Sequence, residues 1–125
     1  MPDTTSTVAR PSGISYVRIP APDPHALAAF YAAVFGWSTR LDPGRAAFED
    51  GTGHVIGHLV SDLPVAGEAG IVPYVYVPDV AATLAVAVEH GAAVLRDVYA
   101  EGHLSVALLR DPAGNAIGIW QDTTR

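Results

Sequence analysis

The apolar positions of this chain change period several times, and the changes come in the same order twice. Ile14 to Ile19 mixes apolar and polar residues rich in strand formers and is halted by Pro20-Ala-Pro22, which predicts a first strand. Asp23 then offers an N-cap side chain with Pro24 at the first helical position. Leu27, Phe30, Tyr31 and Val34 recur at helical spacing until Gly36 closes the helix. Trp37 to Leu41, Arg45 to Glu49 and His54 to Val60 read as three short strands, separated by Asp42-Pro-Gly44 and Asp50-Gly-Thr-Gly53.

The β-α-β-β-β order then restarts. Val72 to Val77 reads as a strand and Asp79 as a cap. Val80, Leu84, Ala87 and Val88 form a helical stripe ending at Gly91, and strands follow near Ala93 to Val98, Leu104 to Leu109 and Asn115 to Gln121. Asp23 and Asp79 mark the same point of each copy, 56 positions apart. Such a repeat predicts an α+β fold in which two tandem β-α-β-β-β modules, each too small alone, form a curved mixed sheet around a cup-shaped cavity. The expected boundaries are a flexible tail over residues 1–12, a first module over 13–62, a linker over 63–70 and a second module over 71–122, together one domain.

Composition narrows the chemistry. The 125 residues are half apolar, enough for one compact domain, and no apolar stretch reaches the roughly 18 residues of a membrane span. A net charge of −6 with no lysine leaves no basic face for phosphate backbones, so neither nucleic acid nor membrane is an expected partner. Without lysine there is no Schiff base or P-loop lysine, and without cysteine no thiol nucleophile, disulfide or thiolate metal site. The lack of disulfides and of a signal-peptide pattern points to the cytoplasm.

Two stretches carry a family resemblance. They are Ile14-Ser-Tyr-Val-Arg-Ile-Pro-Ala-Pro-Asp-Pro-His-Ala-Leu-Ala-Ala-Phe-Tyr-Ala-Ala-Val-Phe-Gly-Trp37 and the closing turn and strand Asp111-Pro-Ala-Gly-Asn-Ala-Ile-Gly-Ile-Trp-Gln121. Together they resemble the vicinal oxygen chelate superfamily, which includes glyoxalase I, extradiol dioxygenases and bleomycin-resistance proteins. The likeness covers about residues 14 to 121 and is more specific for fold than for activity. It implies four metal-ligand positions, filled in metal-dependent relatives by His, Glu or Gln. Counting from the helix caps and from Asp111 places these at Tyr16, Val72, Gly118 and near Gly57. None supplies the His, carboxylate or thiolate that divalent metals need at about 2.0–2.6 Å. The chain therefore reads as a metal-independent member with no cofactor. His54 and His58 do not alter this: on one strand they would share a face yet stand roughly 13 Å apart at about 3.3 Å per residue.

With the metal positions vacant, the cup still has walls. Alternation places Arg18 on the face of Tyr16, Tyr74 and Tyr76 on that of Val72, and Trp120 on that of Gly118, while Ile117 and Ile119 turn toward the helix-covered core. The expected ligand-binding set is thus Tyr16, Arg18, Gly57, Val72, Tyr74, Tyr76, Gly118 and Trp120, with the two glycines widening the pocket for a planar molecule. Ordinary strand packing would account for the same tyrosines, and Trp37 reads as packing. Tyr16, Arg18 and His103 are the catalytic candidates, His103 because Glu101 stands close by in sequence to tune it. Glu49, His54 and His58 are lesser candidates, and His25 and His90 read as helix-end residues.

The function these residues suggest is that of a glyoxalase-like, bleomycin-resistance-like small-molecule-binding protein of natural-product or antibiotic metabolism. It would either sequester an aromatic or hydrophobic compound or, as an enzyme, catalyse its acid–base isomerisation, cyclisation or lysis without metal. The alternative, a metal-dependent glyoxalase, lyase or extradiol dioxygenase, requires a strand register shifted by one residue, bringing His58 and Glu49 inward. Open sheet edges and a shallow cup further suggest a homodimer.

Overall fold

The computed structural model describes residues 8–65 and 71–124. Residues 1–7 of the expected tail and 66–70 of the expected linker lie outside the described residues. The chain divides into two compact units, residues 1–64 and 65–125. Among the described residues each unit holds one helix and four strands, so the α+β class and the doubled β-α-β-β-β order are those of the protein, built as two separate four-stranded mixed sheets.

In the first unit the elements are β1 (Tyr16–Pro20), α1 (Pro24–Phe35), β2 (Ser38–Asp42), β3 (Arg45–Glu49) and β4 (Ile56–Val60). Asp23 caps α1 by accepting from the Ala26 N–H at 3.2 Å, and Gly36 ends it in the left-handed region at φ 72°. Both ends lie where the residue types place them, because Asp satisfies a free N–H and Gly adopts positive φ without Cβ strain. The sheet order is β1-β4-β3-β2, with β1 and β4 parallel and the other pairs antiparallel. One face of the sheet carries Phe48, Ala46 and Leu59, all buried, and α1 contributes Leu27, Ala28, Phe30 and Tyr31 to the core. Tyr31, Trp37 and Phe48 stack in series, 4.7 and 5.0 Å between ring centroids, which confirms Trp37 as a packing residue.

The second unit repeats the plan with β5 (Tyr74–Tyr76), α2 (Val80–Glu89), β6 (Ala93–Glu101), β7 (Leu104–Arg110) and β8 (Ala116–Asp122) in the order β5-β8-β7-β6. Asp79 caps α2 through the Ala82 N–H at 3.0 Å, and the Gln121 side chain accepts from the Val80 N–H at 2.6 Å, tying the helix start to β8. Val80, Leu84 and Ala87 of the expected stripe are buried; Val88 is exposed. Ile117, Ile119, Ala107 and Leu109 complete the core. The turn between β7 and β8 is organised by buried Asp111, whose carboxylate accepts from the Ala113 and Asn115 N–H groups and from the Asn115 side-chain amide. Pairing between β6 and β7 shifts register between Val94 and Arg96 and again between Arg96 and Tyr99.

Candidate functional site

Each sheet has one face turned to its core and one turned away, and the registers say which residues share the latter. In the first unit, Tyr16 lies across from Ile56, Arg18 from His58 and Pro20 from Val60. On β3 and β2 the same rows continue as Glu49 and Ser38, Ala47 and Arg40, Arg45 and Asp42. Residues paired across strands project to the same side, so Tyr16, Arg18, His58, Arg45 and Arg40 form one open surface. A groove of about 340 Å³ on this surface is lined by Tyr16, Arg18, Gly44, Arg45, Val60, Ser61 and Asp62.

On the same surface the Tyr16 hydroxyl lies 2.7 Å from Nδ1 of His58, the two rings tilted at 55°. Burial of the imidazole holds the His58 pKa below its usual value, with Arg45 and Arg40 adding to the effect and Asp42 opposing it. The neutral ring takes the Tyr16 bond in either of two tautomers. With Nδ1 accepting, Nε2–H is a donor; with Nδ1–H donating to the phenol oxygen, Nε2 is a base. Arg40 pairs with Asp42 at 3.3 Å, and this bond is the main reason the Asp42 carboxyl sits below the ordinary carboxylate range. The Asp42 carbonyl also accepts from His25 Nε2 at 2.7 Å, so His25 ties α1 to β2.

Gly57 does not belong to this surface. It pairs with Val17 and Phe48 on the core side, and a Cβ there would meet the Val17 carbonyl oxygen and the Phe48 ring. The strand is displaced by one residue from the expected register because the Asp50–Val55 turn takes up more chain. Asp50 accepts from the Thr52 and Val55 N–H groups and the Thr52 hydroxyl, and Thr52 in turn accepts from the His54 N–H. His54 therefore belongs to the turn, and β4 begins at Ile56. The residue facing Tyr16's side is His58.

In the second unit the open rows are Tyr74, Gly118, Leu108 and Arg96, then Tyr76, Trp120, Val106 and Tyr99. Gly118 shares the face of Tyr74, Tyr76 and Trp120, as alternation predicts. It does not widen a cavity, however, since the Tyr74 ring lies over it and occupies the space of a Cβ. Tyr76 meets Trp120 edge to face at 4.9 Å. Val72 lies just ahead of β5, half-buried. Two members of this face, Tyr99 and Arg96, carry no alternation signal because the register shifts of β6 break the period; the Arg96 guanidinium sits 3.5 Å over the Tyr99 ring.

His103 stands apart from this aromatic face. It lies exposed in the turn between β6 and β7, and its carbonyl accepts from the N–H and hydroxyl of Thr123. Tyr16 and Arg18 belong to the first unit and His103 to the second. Glu49 and Glu101 end their strands in exposed positions.

Among the described residues no three of His, Cys, Asp and Glu come together as a metal-binding group. At the positions the resemblance marks stand Tyr16, half-buried Val72, Gly118 under an aromatic ring and, in place of Gly57, His58 bonded to Tyr16; the one-residue shift thus brings His58, with Glu49 in the neighbouring row, onto the face of Tyr16 and Arg18.

The comparisons agree with the fold. A family model described as a glyoxalase-like domain matches residues 16–119. A glyoxalase/bleomycin resistance protein/dioxygenase family enzyme from Burkholderia phytofirmans PsJN is similar at TM-score 0.74 and 21% identity, over 86% of this chain and 97% of that one. TnmS3, an antibiotic binding protein from Streptomyces sp. CB03234, is similar at TM-score 0.68 and 24% identity, over 89% and 96%. TioX from Micromonospora sp. ML1 follows at 0.65 and 19%, over 89% and 99%. No curated protein matches the chain significantly. At these identities the solved structures speak for fold, while the family match spans most of the sequence, both modules and the closing Asp-Pro-Ala-Gly-Asn turn. The chain belongs to the glyoxalase-like domain family, within the vicinal oxygen chelate superfamily.

Proposed function

We propose that this protein is a metal-independent small-molecule-binding protein of natural-product or antibiotic metabolism, and that it holds an aromatic compound on the open faces of its sheets. The observation that carries this reading is the second unit's row of Tyr76, Trp120 and Tyr99 with Tyr74 beside it. Tyr74 and Tyr76 keep 50% and 52% of their surface exposed, on the side away from the core. Aromatic rings with one free face stack planar ligands, and their hydroxyls add hydrogen bonds at the rim. The described antibiotic binding of TnmS3, a protein of the same fold, is in keeping with it. That no three of His, Cys, Asp and Glu come together among the described residues supports metal independence.

The test is binding followed by product analysis. Titration with planar aromatic compounds should perturb the fluorescence of Trp120 in wild type and lose most of that response in Trp120→Phe, because Trp37 lies within the Tyr31–Phe48 stack. Recovery of the ligand unchanged supports sequestration. A stoichiometric divalent ion in the purified protein, or loss of binding with a chelator, would overturn metal independence.

One observation favours a second reading, a metal-free acid–base enzyme. Neutral His58 bonded to Tyr16 is a pair able to move a proton. A new product from the bound compound, lost in His58→Gln, would establish it.

A further inference from the structure

The groove of the first unit has two arginines among its seven lining residues, in a chain of net charge −6. Of the arginines, Arg40 pairs with Asp42, Arg96 sits on Tyr99 and Arg110 donates to the Gly114 carbonyl. Arg18 and Arg45, by contrast, make no ion pair or hydrogen bond among the described residues, and both line the groove. They stand on β1 and β3 with β4 between them, Arg18 across from His58 and Arg45 across from Val60. With strands about 4.8 Å apart and a rise of about 3.3 Å per residue, their Cα atoms are about 12 Å apart, a span that two long side chains close from both sides.

The registers place His58 and Val60 of β4 between them, and Tyr16, Gly44, Ser61 and Asp62 also line the groove. Asp62, exposed, is the one acidic residue of the lining; Asp42, across from Arg45 on β2, is already paired with Arg40. Val60 and the Tyr16 ring beside two guanidinium groups suit a flat ring bearing an anionic oxygen group. Arginine matches carboxylate and phenolate geometry with paired N–H donors, and hydrogen bonds to charged groups exceed neutral ones in strength.

We infer that this groove is an anion subsite formed by Arg18 and Arg45, and that the protein's ligand is an aromatic acid, with a carboxylate or phenolate held between the two guanidinium groups. The inference rests on the proposed aromatic binding and names the class of compound bound.

The test pairs 2-naphthoate with 2-naphthamide, which share shape and differ in charge, by isothermal titration calorimetry of the full chain. Wild type should bind 2-naphthoate more tightly by on the order of tenfold. Arg18→Gln and Arg45→Gln should each remove most of that preference while leaving 2-naphthamide unchanged. Asp62→Asn should move the other way and strengthen 2-naphthoate alone. These side chains are exposed, and circular dichroism of each variant confirms its fold. Equal binding of the two probes overturns the anion subsite and leaves aromatic binding standing, as does a preference that survives both arginine substitutions. Failure of both probes to bind overturns the two readings together. Binding of 2-naphthoate alone, dependent on both arginines, upholds the subsite and removes the case for stacking as the main attraction.

Discussion

Adding a single methyl group to each of two strand glycines should have different consequences, although the sequence presents both as vacated pocket positions. At Gly118 a Cβ meets the Tyr74 ring, whose Cγ lies 2.9 Å from the ideal Cβ position. At Gly57 it meets the Phe48 ring at 2.5 Å and also the Val17 carbonyl oxygen on the paired strand. Tyr74 is half exposed and turns about χ1 into solvent, so Gly118→Ala loses a ring contact and should cost about 1–2 kcal/mol, in the lower part of the overpacking range. The carbonyl at Gly57 belongs to the β1–β4 ladder, and only separation of the strands makes room. Gly57→Ala should therefore cost about 3 kcal/mol or more.

The assay is urea unfolding of a double-mutant cycle. In Gly118→Ala/Tyr74→Ala the obstruction is gone, so the two changes together should cost less than their sum, by about 1 kcal/mol. In Gly57→Ala/Phe48→Ala the carbonyl remains and a cavity is added, so no such relief is expected. A Gly118→Ala cost below about 0.5 kcal/mol would mean that open space lies over Gly118 after all and would restore the widened pocket. Relief of Gly57→Ala by Phe48→Ala would refute the placement of Gly57 against the β1 backbone.

Three further outcomes follow from the same structure. Asp23→Ala and Asp79→Ala should each destabilise by about 1 kcal/mol in denaturant unfolding, as each removes the side chain that accepts the third N–H of its helix. His58 is held neutral in the folded state, so below the ordinary imidazole pKa near 6.5 the unfolded chain takes up a proton that the folded chain refuses. Stability should accordingly fall as pH drops from about 6.5 through the folded pKa, and His58→Gln should flatten that fall; parallel pH profiles for the two proteins would contradict the assignment. Tyr16→Phe removes an exposed hydrogen bond and should change stability by less than about 1 kcal/mol. It should leave affinity nearly unchanged if Tyr16 is a wall, and lower turnover by about 10²-fold or more if the Tyr16–His58 pair transfers protons.

Much of the fold was legible because its signals are local. Asp23-Pro24 and Gly36 bound α1 by satisfying or releasing backbone groups within one turn, and the strands lie within two or three residues of where β-formers and turn residues put them. β6 is the exception at its end, running three residues past Val98. The open faces were legible only where the count began from a fixed mark. Tyr16 and Arg18 follow from the α1 cap, and Gly118 and Trp120 from the Asp111 turn, whose carboxylate fixes where β8 starts. No such mark precedes β4, since the Asp50 turn consumes His54 and Val55 through side-chain bonds that spacing does not reveal. One residue of slip exchanges the faces of a strand, and it is enough to hide His58 behind Gly57. Tyr99 and Arg96 escaped for the opposite reason: their strand begins where expected, but its register shifts in the middle and Tyr99 lies beyond its expected end.

Glycine is where sequence and structure part most instructively. A missing side chain reads as room for a ligand, yet a strand glycine equally marks a place where a neighbouring group comes close, and here both do. At position 118 the neighbour is an aromatic ring from the adjacent strand, so the position that the family resemblance marks for a ligand carboxylate seats Tyr74. That changes what the vacancy means. Glycine there brings neither charge nor donor, and the ring lying over it makes the face flatter and more apolar rather than deeper. A flat aromatic face binds by stacking and tolerates many compounds; it gains selectivity only from charged groups placed elsewhere. The first unit's own open face does carry such groups, Arg18, Arg45 and the Tyr16–His58 pair, so a ring bound there would be chosen by charge rather than by the number of tyrosines.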